Sequence, residues 1–414
     1  MKRIMIRKHK FQNTLYTHDN LYVLSGLNSG FVDLIYLDPP FNTKRMYSAP
    51  IGSKAAGTSF KDMWTWEDVN VHYLDTLATK YPELTKYIAT VGGVHGKPMM
   101  AYLTYMAQRI IEMHRVLKDT GSLYLHCAPT ASHYLKILLD FVFGKNNFRN
   151  EISWCYAGGG VSKKYFAKKH DIILFYVKDK ELYNFNMQYR PYSEGTIQRG
   201  RTKNKRKYFT QGLRKEGTPV NDWWTDCQKI TSPTDPEKTG YPTQKPLALL
   251  KRIILASSKE GDIVMDPFCG CATTCVAARQ LGRKWIGIDI EQPAVRILIE
   301  RLSDDAGLFK DFIATELLPV RTDVNIEPKS LSVKQRLYKE QNGKCNACGV
   351  EFEIRNLVID HIQPSSKGSG DYYENYQLLC PSCNSIKGNR TMEYVRMKLA
   401  AAEALMKNKI IFGE

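Results

Sequence analysis

The chain has 414 residues, more than one compact core usually holds, so two or more folding units are expected. Hydrophobic residues make up 43% and aromatics 11%, which excludes general disorder. A formal charge of +17 makes a polyanion such as nucleic acid the leading partner class, although charge alone also fits a merely well-solvated protein.

In chain order, Met1–Lys10 is basic but runs straight into Gln12, Asn13 and Thr14, without the apolar core of a signal peptide. No span is long enough to cross a bilayer. Ten cysteines in such a chain suggest reduced thiols and metal ligands rather than disulfides, so a cytoplasmic location without a membrane partner is expected.

Apolar runs at Val32–Leu37, Ser122–His126 and Ile172–Val177 read as strands, and Ala101–Leu117 and Ala131–Phe143 between them as helices. This alternation predicts an α/β fold with a mainly parallel sheet. The pattern breaks from Tyr156 to about Tyr241, where a glycine run, the tract Arg199–Lys207 and Asp222-Trp223-Trp224 have no sustained period. Lysine and arginine interleaved with aromatics suit a groove for phosphates and bases, and a solvated loop is the plainer reading. Helix and strand pattern resumes from Leu247 to about Leu317. Pro319–Ser332 reads as a linker, and a cysteine-rich unit follows from Val333, closing on a helical pattern over Thr391–Lys407.

Asp38-Pro39-Pro40-Phe41 directly follows a strand, where α/β sheets place their chemistry. An exocyclic amine has its lone pair delocalised into the ring. Its methylation therefore needs acceptors such as the Asp38 carboxylate and a carbonyl of the Pro-Pro segment to hold and rehybridise the nitrogen. Phe41 offers a face on which an extruded base can stack. A second constellation, Val264–Thr274, reads as strand, tight small-residue loop and helix start, and Trp285–Asp289 as another strand ending in an acid fit to bind ribose hydroxyls. A dinucleotide-dependent dehydrogenase would need G-x-G-x-x-G here, which is absent. Cys269, Cys271 and Cys275 have no histidine nearby and are not expected to bind metal.

These runs resemble the β-class amino-methyltransferases of DNA. The matching segments are Asp33–Asn42, Gly121–Cys127, His170–Tyr176, Tyr241–Pro246 and the Asp266 loop, within residues 15 to 300. The resemblance implies a Rossmann-like, S-adenosylmethionine-dependent fold over 1–318, with a basic target-recognition region inserted at about 156–241. It assigns Asp38, Pro39, Pro40 and Phe41 to catalysis, and Asp266, Phe268, Gly270, Thr274 and Asp289 to the cofactor. Thr243 and Lys245 would lie near the cofactor's methionine end, and Asp19 near its adenine. Ala272 stands where the family more often has glycine. Asp38 rather than serine before Pro-Pro favours adenine N6 over cytosine N4. RNA as acceptor is disfavoured by the resemblance alone.

Cys345-x-x-Cys348 and Cys380-x-x-Cys383 supply four thiolates for one structural zinc. With Asp360-His361, Asn375 and Asn384 they resemble an HNH nuclease, a small zinc-bound ββα-metal domain over 333–414 after the linker 319–332. The resemblance implies His361 as the base, Asn375 as its orienting partner, and Asp360 and Asn384 as ligands for Mg²⁺ or a similar cation. Asn384 stands where many members carry histidine, and a domain that only docks DNA is the competing reading. The expected partner is double-stranded DNA, with homodimerisation left open.

Overall fold

The computed structural model describes residues 12–42, 45–50, 53, 59–69, 73–158, 161–201, 213–232, 234–290, 296–297, 299–301, 312–323, 333–364 and 375–401. It divides into two compact units, Met1–Asp323 and Val324–Glu414.

The strands of the first unit are β1 (Thr14–Tyr16), β2 (Val32–Leu37), β3 (Arg45–Ser48), β4 (Ser59–Asp62), β5 (Leu117–Cys127), β6 (Phe148–Cys155), β7 (His170–Val177), β8 (Tyr189–Arg190), β9 (Thr218–Pro219), β10 (Trp223–Trp224), β11 (Ile263–Asp266), β12 (Lys284–Ile288) and β13 (Ile313–Thr315). Its helices include α1 (Asn20–Gly26), α2 (Leu74–Lys80), α3 (Pro82–His95), α4 (Lys97–Val116), α5 (Pro129–Phe143), α6 (Glu194–Arg201), α7 (Leu247–Ser257) and α8 (Thr273–Gln280). Among the described residues, nine strands form one sheet in the order β10-β6-β7-β5-β2-β11-β12-β1-β13. Neighbours run parallel except at β7, which is antiparallel to both β6 and β5. The expected α/β class with a mainly parallel sheet is what the chain adopts.

Helices on both faces explain why β2 is buried along its whole length. From Leu34 on its side chains alternate between two cores: Leu34 and Tyr36 join one with α7 and α8, while Ile35 and Leu37 join the other with α4 and α5, as does Val32 on the far side of an irregularity in the pairing. Local chemistry sets the helix limits. Gly96, at φ +84°, ends α3, and Pro98 sits in the first turn of α4, where its missing N–H costs nothing. The helix expected from Ala101 therefore starts one turn earlier. Within the irregular stretch Tyr156–Tyr241, β7 is a buried strand of the sheet and β10 forms its edge.

In the second unit, β14 (Val358–His361) and β15 (Tyr376–Leu379) form an antiparallel hairpin, between the helices Val333–Glu340 and Pro381–Lys387. Leu337, Leu357, Leu378, Leu379, Met392 and Val395 pack with buried cysteines into a separate small core. The closing helix is seen over 392–401, one residue after the expected start at Thr391, and residues 402–407 of the expected span lie outside the described residues. No helix among the described residues is long and apolar enough to cross a membrane.

Candidate active site and metal centre

Because β2, β11, β12 and β1 are successive parallel neighbours, their carboxyl ends meet at one edge of the sheet. Asp38 follows β2, Asp266 ends β11, Asp289 follows β12, and Asp19 lies just past β1. A cavity of about 320 Å³ opens there, large enough for a small cofactor. All the residues nominated for methyl transfer and cofactor binding line it: Asp19, Asp38, Pro39, Pro40, Phe41, Thr243, Lys245, Asp266, Phe268, Gly270, Thr274 and Asp289.

The loop from Asp266 to α8 is held from within. Asp266 Oδ1 accepts from Phe268 N at 3.0 Å and its Oδ2 from Thr274 Oγ1 at 2.5 Å. Burial pushes the Asp266 carboxyl up to about 7, and these two donors pull it back only in part. Gly270 N donates to Asp289 Oδ2 at 2.8 Å, tying the loop to the end of β12. Gly270 has φ +49°, and a Cβ there would stand 3.0 Å from the Tyr241 ring, so a side chain would be strained by the backbone and would press on that ring. Ala272, at φ +61°, caps α8 in the left-handed region. Cys269, Cys271 and Cys275 are buried, and the one cluster with metal-ligand geometry among the described residues lies elsewhere.

Across the cavity, the Lys245 ammonium forms an ion pair with Asp38 Oδ2 and donates to Thr243 O at 3.2 Å. Asp38 Oδ1 is buried and has no hydrogen-bond partner, as is His18 Nδ1 in the same cavity wall. Lys245 Nζ lies 5.5 Å from the Phe41 ring centroid, and Phe41 stacks on His126 at 5.9 Å and 28°. His126 is fully buried. Its Nδ1 lies 2.8 Å from Tyr36 Oη and its Nε2 3.4 Å from Asp171 Oδ2, so the ring bridges the phenol and the carboxylate. Burial opposes ionisation of Asp171, yet His126, Lys245 and Tyr156 hold its carboxyl below the usual range.

Behind Asp19 stands Arg109, which is buried on α4. It donates to both Asp19 oxygens and, through Nε, to Asn20 Oδ1 at 2.6 Å, while Asn20 Nδ2 reaches Pro267 O at 2.7 Å. The guanidinium lies over the Tyr105 ring. Sequence reasoning gave no role to Arg109, Asn20, Tyr36, His126 or Asp171. A signal existed for two of them: Arg109 falls on the apolar face of α4 beside Met106 and Ile110, and His126 interrupts an otherwise apolar strand end. A polar group at a core position calls for a buried partner. Of the basic tract Arg199–Lys207, residues 202–207 lie outside the described residues.

In the second unit, the sulfurs of Cys345, Cys348, Cys380 and Cys383 all lie within 4.8 Å of one another. Cys380 N donates to Cys345 Sγ at 3.3 Å and Cys383 N to Cys380 Sγ at 3.4 Å. Burial opposes ionisation of Cys345, but backbone N–H groups of Cys348, Cys380 and Ala347 lower its thiol to about 7. Four soft ligands at this spacing, supported by N–H···S bonds, fit tetrahedral zinc. Asp360 and His361 end β14, facing Gln377 and Tyr376 on β15. Asp360 Oδ2 pairs with the buried Lys387 ammonium at 3.0 Å and accepts from Gln377 Nε2 at 3.1 Å. The Asn375 amide accepts from Gln363 N at 2.9 Å and donates to Gln363 O at 3.2 Å, which fixes the backbone just beyond His361. Asn384 lies one turn before Lys387 on the helix.

The DNA methylase family matches residues 32–300, and the HNH endonuclease family residues 345–390. The chain is 30% identical over 290 residues to DNA adenine methyltransferase YhdJ of Escherichia coli (strain K12), covering 70% of this chain and 82% of that protein. It is 32% identical over 291 residues to Type II methyltransferase M.HpaI of Haemophilus parainfluenzae, covering 69% and 73%. It is 27% identical over 370 residues to Type II methyltransferase M.EcaI of Enterobacter cloacae, covering 74% and 72%. The chain thus belongs to the DNA methylase family, of the N6/N4 amino-methyltransferase type, and carries a C-terminal HNH domain.

Proposed function

We propose that the first unit transfers a methyl group from S-adenosylmethionine to the exocyclic amine of a base extruded from double-stranded DNA, adenine N6 rather than cytosine N4. The observation that carries this reading is the meeting of Asp38–Phe41 and the Asp266 loop in one cavity, with Asp38 Oδ1 buried and unpartnered. An acceptor with no protein donor suits an incoming N–H. The donor supplies a methyl group activated on sulfonium sulfur. Asp289, Asp266 and the Gly270 backbone would hold it, with Asp19, Phe268, Thr274 and Thr243 completing its walls. Phe41 would stack on the base and Asp38 would aim its nitrogen. Once methylated, the nitrogen would carry a surplus proton, which Asp38 Oδ1 would accept. The adenine preference rests on Asp38 before Pro-Pro and on the likeness to the E. coli adenine methyltransferase.

The test is to sequence modified bases in DNA from cells expressing the wild type and Asp38→Ala. Methyladenine in the first and none in the second is expected, with cofactor affinity retained. Equal loss of cofactor binding in the variant would refute the division of roles.

For the second unit we infer DNA cleavage, with His361 activating water, Asn375 steadying the segment beside it, and Asp360 and Asn384 offering oxygens to a divalent cation such as Mg²⁺. Zinc on the four cysteines would hold the fold and take no part in cleavage. One observation favours the rival reading of a docking module: Lys387 already neutralises Asp360. Metal-dependent nicking by the wild type that disappears in His361→Ala would support cleavage, whereas no nicking with any divalent ion would favour docking.

A further inference from the structure

Lys245 belongs to the segment that family resemblance places at the methionine end of the cofactor, yet its ammonium meets a different carboxylate, that of Asp38. The contact is enclosed, with 9% of the lysine side chain and 16% of the aspartate side chain exposed. The backbone is bent to deliver it: Thr243 sits at φ +64°, a left-handed conformation uncommon for a β-branched residue, and its carbonyl takes a second N–H of Lys245 at 3.2 Å. The same ammonium lies over the face of Phe41.

The two oxygens of Asp38 are thereby made unlike. Oδ2 is occupied by Lys245, while Oδ1 is buried with no partner. We propose that Lys245 is a positioning residue for Asp38, fixing Oδ2 so that Oδ1 alone faces the target base as an obligate acceptor. This rests on the reading that the cavity methylates an exocyclic amine. Two consequences follow from the chemistry. An unclamped carboxylate could turn about its Cβ–Cγ bond and lose the in-line geometry, and displacement of about an ångström at a reacting centre can cost on the order of 100-fold in rate. A fixed anionic acceptor also selects the base: an amino group donates to it, whereas a carbonyl oxygen at the same place meets it lone pair to lone pair.

The test uses the full chain as wild type, K245M and K245R, with three readouts. These are S-adenosylmethionine affinity, methyl transfer at saturating cofactor, and the Asp38 side-chain position in crystals. K245M should keep cofactor affinity within about threefold, because Asp266 and Asp289 remain, and lose about 100-fold in kcat. K245R should restore at least about a tenth of wild-type kcat, since a cation returns at the same place with different geometry. In K245M crystals the Asp38 carboxylate should leave its wild-type position. Collapse of cofactor affinity with wild-type kcat at saturation would overturn the proposal and make Lys245 a cofactor ligand. If K245M does not fold, K245R decides: reduced kcat at unchanged affinity supports the clamp, and reduced affinity at unchanged kcat overturns it. A wild type that binds cofactor but methylates no DNA would instead refute the functional reading. The clamp would then be judged on the Asp38 position alone, an unmoved carboxylate in K245M overturning it.

Discussion

Arg109 Nη2 lies 3.0 Å from both carboxylate oxygens of Asp19, and its Nε holds Asn20, which in turn holds Pro267 O. One buried cation thus joins the turn after β1 to the loop after β11, two sides of the cavity wall. Removing it leaves the Asn20 amide oxygen without its donor and Asp19 with the Leu21 backbone N–H but no counter-charge. Arg109→Met should destabilise the first unit by about 3 kcal/mol, the low end for breaking a buried pair because Asp19 is partly exposed. Arg109→Lys should recover little, since one ammonium cannot serve two oxygens and an amide together. Urea unfolding curves of the three proteins check this, and a wild-type midpoint for Arg109→Met would show that the pair contributes nothing net.

Ala272 caps α8 at φ +61°, ψ 28°. A Cβ in that region costs about 1–2 kcal/mol, while glycine costs about 0.5–1 kcal/mol through the flexibility of the unfolded chain. The fully buried Ala272 methyl is worth about 0.8 kcal/mol more, so relief and cost nearly cancel and Ala272→Gly should shift the stability of the first unit by no more than about 0.5 kcal/mol. Differential scanning calorimetry should give nearly the wild-type melting temperature; a clear rise would mean that backbone strain outweighs the packing of the methyl, and a clear fall the reverse.

Burial raises the Asp266 carboxyl to about 7, well above its value in an unfolded chain. The folded protein therefore binds a proton that the unfolded chain has released. This contribution to stability is complete below about pH 4 and is lost as pH rises towards 7, by at most about 1.4 kcal/mol per unit. Asp266→Asn removes the titration. Its stability relative to wild type should therefore rise between pH 4.5 and 7 and level off above that. Parallel stability profiles for the two proteins would show that Asp266 ionises with little penalty.

Zinc should be the chief support of the second unit, whose apolar core is small. Cys380→Ser, or treatment with a strong chelator, should expel zinc and open this unit to proteolysis. Methyl transfer by the first unit should persist. Zinc analysis with limited proteolysis measures both; a protease-resistant second unit lacking zinc would show that the cysteines serve only as core.

The sequence by itself determined the α/β class, the strands at Val32–Leu37 and Ile172–Val177, the Asp38 and Asp266 constellations and the four-cysteine cluster. Each is set by residues close in the chain, through hydrophobic period, turn-forming small residues or fixed Cys spacing. Strand order was decided only by the tertiary structure. It is the parallel run β2-β11-β12-β1 that brings Asp38 next to a loop more than two hundred residues away. The partners of the site residues were equally hidden: Lys245 for Asp38, Arg109 for Asp19, His126 beneath Phe41, Lys387 on Asp360. A charged side chain written in a sequence carries no address for its counter-charge. The pairing is chosen by which polar groups the folded core buries together, because a charge taken out of water must be met there or neutralised.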